Sequence, residues 1–446
     1  MGITSAFFAA TSGINATSRA LSEIGNNIAN AQTIGYKSRS VSFGDLFGAT
    51  IGGGGTSTAL VEGRGVRVLG IDPSFTQGSL QTTSNALDLA IDGDGFFRVS
   101  DATGNIFYSR AGQFDIDSQG NLVNPAGLRL QGDQADDTGL LTGSIGNLTL
   151  TTSTQPGVQT SEITMSGRLA ANAPINAYTT AQVLDPQSNS GLFPGSTSVR
   201  VFDSQGTGHD LTVYFAKTAN NTWDYNVIAP DSEVTVPVGD NNPTTGNALV
   251  AQGTLTYTTD GFLSSESDPT GHDITFTGGV GAPQRIIFDF GTSITEGGAG
   301  TDGLLQQGES LNNKALILDT LSQDGYGPGS LAGTSIGEDG VITGRFDNGT
   351  TRTLGQVRLT RFINPDGLQP IGRNLFIQSG DSGTPLDGVP GTGAFGKVSA
   401  STLEASNVDL GEELVNMITM QRGFQANSRI ITTTNDLLGE LVNLAR

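Results

Sequence analysis

Small or apolar residues recur at alternating steps of four and three near the start of the chain: Ile3, Phe7, Ala10, Ile14, Thr17, Leu21, Ile24 and Ile28. That spacing is the stripe of an amphipathic helix with a heptad repeat. Taken by sevens, it holds one wholly apolar line, Phe7, Ile14, Leu21 and Ile28, beside a line of smaller or polar residues that includes Ala10 and Thr17. The other end of the chain carries the matching pattern. Leu410, Met417, Phe424, Ile431 and Leu438 form its apolar line, with Leu414, Gln421, Ser428, Asn435 and Val442 beside it. The two ends are therefore expected to pair as helices. Gly13 and Gly25 each cost the first helix about 1 kcal/mol relative to alanine, so alone it is marginal. A further apolar row on the second helix, Ile430, Leu437 and Leu444, lies off the first stripe, and one partner helix cannot cover both. Packing against other molecules is implied.

Between the ends the period drops to two. Val199-Arg200-Val201, the run from Leu211 to Phe215 and the run from Trp223 to Val227 alternate as half-buried strands do, and Ser204-Gln205-Gly206, Thr259-Asp260-Gly261 and Asp339-Gly340 are turn signals between strands. Ala86 to Val99 reads as two strands around a Gly/Asp turn. Residues 38–71, broken at Gly52 to Gly55, read as a flexible linker followed by a strand from Gly63.

Composition supports a β-rich middle: of 446 residues 64 are glycine, while hydrophobic residues make up 35% and aromatics 7%, low for a helical globule. The net charge of −21 opposes nucleic acid or an anionic membrane as partner. It is unevenly placed, +2 over residues 1–70, −3 over 403–446 and −20 between, so the ends suit packing and the middle suits water. Cysteine is absent, and zinc would have to rely on His209, His272 and carboxylates, so no metal or cofactor is expected. The start has no basic segment ahead of its short apolar run, and nothing approaches the roughly 20 apolar residues of a membrane span. No membrane insertion is expected, and a cytoplasmic home would be the default unless export uses another route.

Three enzyme-like or ion-binding spacings fail on inspection. Gly391 to Lys397 has the spacing of a phosphate-binding loop, but Val398 stands where the magnesium-binding hydroxyl belongs. Gly333-Thr334-Ser335-Ile336-Gly337 has the form of a nucleophile elbow, yet both histidines precede its serine, the reverse of the hydrolase order. The segments from Asp92 and from Asp115 look like calcium loops until the twelfth position, which holds Thr103 and Ala126 in place of glutamate. They read as hairpin turns, and no enzymatic activity is expected.

The run from Asn26 to Lys37, Asn-Asn-Ile-Ala-Asn-Ala-Gln-Thr-Ile-Gly-Tyr-Lys, is on its chemistry a helix cap and a turn. As a string it resembles the N-terminal signature of the bacterial flagellar axial proteins, the rod and hook family. Ala86 to Val99 resembles the same family, as do Leu403 to Leu410, with Asp409 as helix cap, and Met420 to Ser428. Leu321 to Thr334, Leu354 to Leu359 and Asn364 to Leu368 are more similar to the hook members than to the shorter rod members.

The expected fold is mainly β with α-helical termini. It comprises a terminal helical coiled-coil pair (1–30 and 408–446), an extended connector (31–71 and 375–407), a β domain (72–154 and 301–374) and an outer β domain inserted at 155–300. The resemblance implies a structural subunit that polymerises with itself into a flexible curved tube. It also implies contacts with hook cap, distal rod and hook–filament junction proteins, and with the flagellar export apparatus. The subunit would then be extracellular, exported without a cleaved signal peptide. The expected assembly interface is Ile3, Phe7, Ile14, Leu21, Ile24 and Ile28 with Leu410, Leu414, Met417, Phe424, Ile431 and Leu438. A distal rod or hook-associated protein is the alternative within the family; outside it stand a secreted β-rich adhesin and a carbohydrate-acting enzyme.

Overall fold

A computed structural model describes residues 2–46, 49–51, 60–62, 64–136, 138–150, 155–235, 241–242, 244–268, 270–278, 282–308 and 315–444. The chain is mostly β, with one long helix at each end, Gly2–Ala29 and Leu410–Leu444. It divides into two compact units. The first comprises Met1–Thr152, Gly333–Arg345 and Thr351–Arg446, and the second Ser153–Ala332 and Phe346–Thr350.

In the first unit the β core is built from short strands of distant sequence. Phe96–Ser100 pairs with its neighbour Ile106–Ser109, but also with Arg129–Ala135 and with Leu359–Arg361. Leu89–Asp92 pairs with Lys397–Ala400. The two strands read in Ala86 to Val99 therefore exist, yet they do not pair with each other. Gly93 and Gly95, at φ +107° and +140°, carry the chain from one sheet to another, a change of partner that alternation within the segment does not encode. Phe97, Phe114, Leu122, Leu130, Val357, Leu359 and Val398 fill the core between them.

The second unit is a pair of six-stranded sheets. Gly195–Phe202, Gly208–Ala219, Thr222–Pro230 and Asn247–Tyr257 run antiparallel in sequence order, with Val199 opposite Leu211 and Val213 opposite Val227. The other sheet centres on Glu162–Ala170, flanked by Gln284–Asp289, Leu304–Gln307 and Leu316–Gln323. One apolar cluster joins Ile163, Met165 and Leu169 of this sheet with Val201, Val213, Phe215, Trp223 and Tyr225 of the other, which makes the unit a β-sandwich.

Part of the glycine content has a common cause. Among the fully described segments of five residues, seven, 101–105, 117–121, 124–128, 203–207, 258–262, 337–341 and 346–350, share one turn: the first N–H donates to the fifth carbonyl and the fourth N–H donates back to the first carbonyl. The fourth residue is glycine each time, at φ between +76° and +91°. This is the three-residue hairpin loop, whose last position falls in the left-handed region. The calcium-like spacing near Asp117 is one of these loops, since Asp117 Oδ1 accepts from the N–H groups of Gln119 and Asn121, both at 2.8 Å. At Asp101 the same arrangement, led by hydrogen bonds from Asn105 and Thr103, lowers the carboxyl pKa to about 2.

The enzyme-like spacings fall on ordinary structure. Lys397 opens a strand rather than a helix and pairs with Glu338 Oε2 at 2.7 Å. Residues 333–336 lie in the strand Leu331–Ile336. His209 stacks on Phe276 between Asp203 and Glu233, and His272 sits near Asp268 and Tyr225.

Candidate assembly surface

The N-terminal helix packs on the C-terminal helix within the chain, and small residues carry the contact. Its buried positions are Ala10, Gly13, Ala16, Ala20, Ile24 and Asn27. On the C-terminal helix the covered positions are Glu413, Met417, Met420, Gly423, Asn427, Ser428, Ile431 and Thr434. A Cβ built on Gly13 would lie 2.6 Å from Asn427 Nδ2, and one on Gly423 would lie 3.6 Å from Thr17 Cγ2. Gly13 thus gives up helix propensity for close approach of the two helices. Around Gly25 nothing lies within 4 Å of that position, and its cost has no such return.

The apolar line read from the sequence consequently lies beside the seam. Phe7, Ile14, Leu21 and Ile28 are half-buried and Ile24 is buried; the side chain of Ile3 lies outside the described residues. On the C-terminal helix Met417 and Ile431 are half-buried, whereas Leu410, Leu414, Phe424 and Leu438 stand 47%, 51%, 38% and 38% exposed. The heptad reading did not pick out Phe8, Val415 and Ile418, which are also exposed. The signal for them was present: they are apolar residues off both counted lines. Covering such half-exposed side chains with another molecule is worth roughly 1 kcal/mol apiece. The other side of the N-terminal helix receives a ribbon, Arg39–Asp45 paired antiparallel with Val66–Pro73, in the segment expected to be a flexible joint. Gly65 meets the helix at Ala9 and Ser12, and the Val66 N–H donates to Ser12 Oγ at 3.1 Å. The expected break at Gly52 to Gly55 lies outside the described residues.

Where the helices meet the β structure, the Asn-rich run forms buried joints beyond a cap and turn. Asn27 Nδ2 donates to Glu413 Oε1 at 2.8 Å and to the Arg39 carbonyl at 2.9 Å. Its Oδ1 accepts from the Tyr36 hydroxyl and the Arg39 N–H. One amide thereby ties both helices and the ribbon together. Gly35 adopts φ +67° with the Ala111 backbone 2.5 Å from where a Cβ would stand. Lys37 Nζ reaches Glu404 Oε1 and the Thr76 carbonyl, each at 2.7 Å, in full burial. Arg110 lies 3.5 Å from the other Glu404 oxygen and 5.3 Å over the Phe96 ring. Burial lowers the pKa of both Lys37 and Arg110 and Glu404 opposes that shift, while burial raises the Tyr36 phenol. Asn407 completes the set, accepting from the Ser38 N–H and donating to the Ser74 carbonyl. Asn27, Arg110, Glu404 and Asn407 were missing from the candidate residues because their partners lie far away in sequence.

Two long helices from opposite ends of one chain, joined by a polar clasp and left with apolar residues facing outward, define a subunit built to stack with others. The sequence families that match are those of flagellar axial proteins. They are "Flagella basal body rod protein" over residues 8–37, "Flagellar hook protein FlgE/F/G D1 domain" over 90–171, "Flagellar basal body protein FlaE D2 domain" over 168–326 and "Flagellar basal body rod FlgEFG protein C-terminal" over 399–444. Full-length relatives narrow the class. The chain is 36% identical to the flagellar hook protein FlgE of Escherichia coli (strain K12) over 442 residues, covering 98% of this chain and 100% of that one. It is 34% identical to flagellar hook protein FlgE of Borreliella burgdorferi, with 98% of each covered. The chain belongs to the flagellar hook protein family. The crystal structure of Helicobacter pylori flagellar hook protein FlgE2 aligns with 73% of this chain and 100% of its own at TM-score 0.49 and 15% identity.

Proposed function

We propose that this chain polymerises into the flagellar hook, a curved, flexible tube that passes motor torque to the filament. The observation that carries this reading is the exposed apolar face of the C-terminal helix, Leu410, Leu414, Val415, Ile418 and Phe424 among its residues. It remains after the N-terminal helix has packed, so further helices must come from other copies. Phe7, Ile14, Leu21, Ile24 and Ile28, together with Ile3, supply the matching part of that interface. In this reading the helical parts, 1–30 and 408–446, build the inner tube and the connector, 31–71 and 375–407, links them to a β domain, 72–154 and 301–374. The inserted domain, 155–300, faces outward. Polar, Gly-rich outer surfaces suit bending because weak contacts can be exchanged at small cost.

Hook cap, distal rod and hook–filament junction proteins would be its neighbours. Export through the flagellar apparatus without a cleaved signal would place it outside the cell, in a purely structural role. The test is expression in a flagellated bacterium lacking its own hook protein, scored by electron microscopy and swimming. Curved hooks and restored motility are expected. Short straight rods would favour the distal rod alternative, and no incorporation at all would refute the reading.

A further inference from the structure

In the first unit, strands Gln369–Gly372 and Leu375–Ile377 form a hairpin whose connecting residues are Arg373 and Asn374. Both lie in the left-handed region, at φ +56° and +57°, directly after Gly372 at +91°. A two-residue hairpin turn with two positive φ values is the territory of asparagine, aspartate and glycine. Asn374 fits it and is held on both sides: its carbonyl accepts from the Ser109 hydroxyl at 3.0 Å and its Nδ2 donates to the Ile34 carbonyl at 2.8 Å. Arg373 does not fit. An arginine backbone there costs free energy that glycine would avoid, and its exposed side chain makes no hydrogen bond or ion pair among the described residues. It stands where three open grooves of about 450, 340 and 400 Å³ meet, with Ile371 beside it 46% exposed.

A strained position whose side chain gives nothing back to its own fold is explained by a contact outside the chain. A rigidly presented arginine flanked by an exposed isoleucine is the composition of an interface anchor. The molecule also limits what the partner can be. It carries 43 acidic residues against 22 basic ones, so the surface of a second copy offers carboxylates far more often than cations. We propose that Arg373 forks onto a surface carboxylate of a neighbouring copy and that this contact is an anchor between β domains in the polymer. The inference rests on the hook-subunit reading and adds a residue and a chemistry to it.

The test compares purified full-length wild type with Arg373→Gly, Arg373→Lys and Arg373→Glu, measuring monomer melting and the critical concentration for polymerisation. Arg373→Gly relieves the backbone, so the monomer should melt at the wild-type temperature or a few degrees above it. Its critical concentration should rise about tenfold or more at low salt, the scale of a lost charge-assisted hydrogen bond. Lysine should recover only part of this, because it cannot fork onto the carboxylate. Glutamate should be worse than glycine, and the differences should shrink at high salt. Wild-type polymerisation by Arg373→Gly, or a monomer destabilised by it, overturns the proposal. If the wild type itself forms no tube, the hook-subunit reading falls and takes this contact with it.

Discussion

Replacing Glu404 by alanine removes a carboxylate that pairs with two buried cations. Lys37 and Arg110 have side chains 1% and 3% exposed, and Glu404 is fully buried between them. The carboxylate also accepts from the Gly78 N–H at 2.9 Å. Breaking such a pair leaves uncompensated buried charge and costs about 3–5 kcal/mol. The lost acceptor for Gly78 belongs within that range rather than on top of it. The loss should be local to the first unit, and the chain contains its own control: the single tryptophan, Trp223, is buried in the second unit. In guanidinium unfolding of the full-length monomer, Glu404→Ala should lower the transition of the first unit, followed by hydrogen exchange in residues 89–100 and 397–404. The Trp223 fluorescence transition should stay in place. Adding Lys37→Met to Glu404→Ala should recover part of the loss, because one of the two orphaned charges is then gone. A loss below about 1 kcal/mol, or a double variant whose loss is the sum of the singles, would refute the account of a coupled buried cluster.

Three further outcomes are expected. Gly13→Ile should separate the terminal helices and abolish polymerisation, since even a Cβ there meets Asn427 at 2.6 Å, while Gly25→Ala should add about 1 kcal/mol of helix stability; circular dichroism and sedimentation check both, and polymerisation by Gly13→Ile would count against the seam. Phe424→Ala should cost the monomer no more than about 2 kcal/mol, because the residue is 38% exposed, yet should prevent assembly; normal tubes would remove this residue from the interface. Glu266 in the second unit has its pKa raised to about 8, by burial first and then by Glu296, Asp289 and Asp268. Its folded value lies above its unfolded value of 4.5, so the unfolded state releases the proton first and stability falls as pH rises from 4.5 to about 8. Lowering the pH from about 9 to 7, above the range where His272 takes its proton, should stabilise the Trp223 transition by on the order of 1–2 kcal/mol after allowance for partial exposure, and Glu266→Gln should flatten that slope.

The terminal helices and the β-rich middle were legible in the sequence because each rests on a local rule, and the hook-family reading because strings such as Asn26 to Lys37 resemble that family. Heptad spacing marks a helix face, period-two alternation marks strands such as Gly208–Ala219, and signals such as Ser204-Gln205-Gly206 mark turns between strands. What the sequence could not decide was partnership. Leu89–Asp92 and Phe96–Ser100 are consecutive and alternating, yet one pairs with Lys397–Ala400 and the other with Ile106–Ser109. The apolar line Phe7, Ile14, Leu21 and Ile28 is the stronger stripe, but Gly13 and the alanines form the seam because small residues let two backbones approach. The stripe is left half-buried beside that seam. Asn27 and Glu404 look like surface polar residues in any window of sequence. Only the tertiary structure, by bringing Glu413 to the one and Lys37 and Arg110 to the other, shows why each is buried.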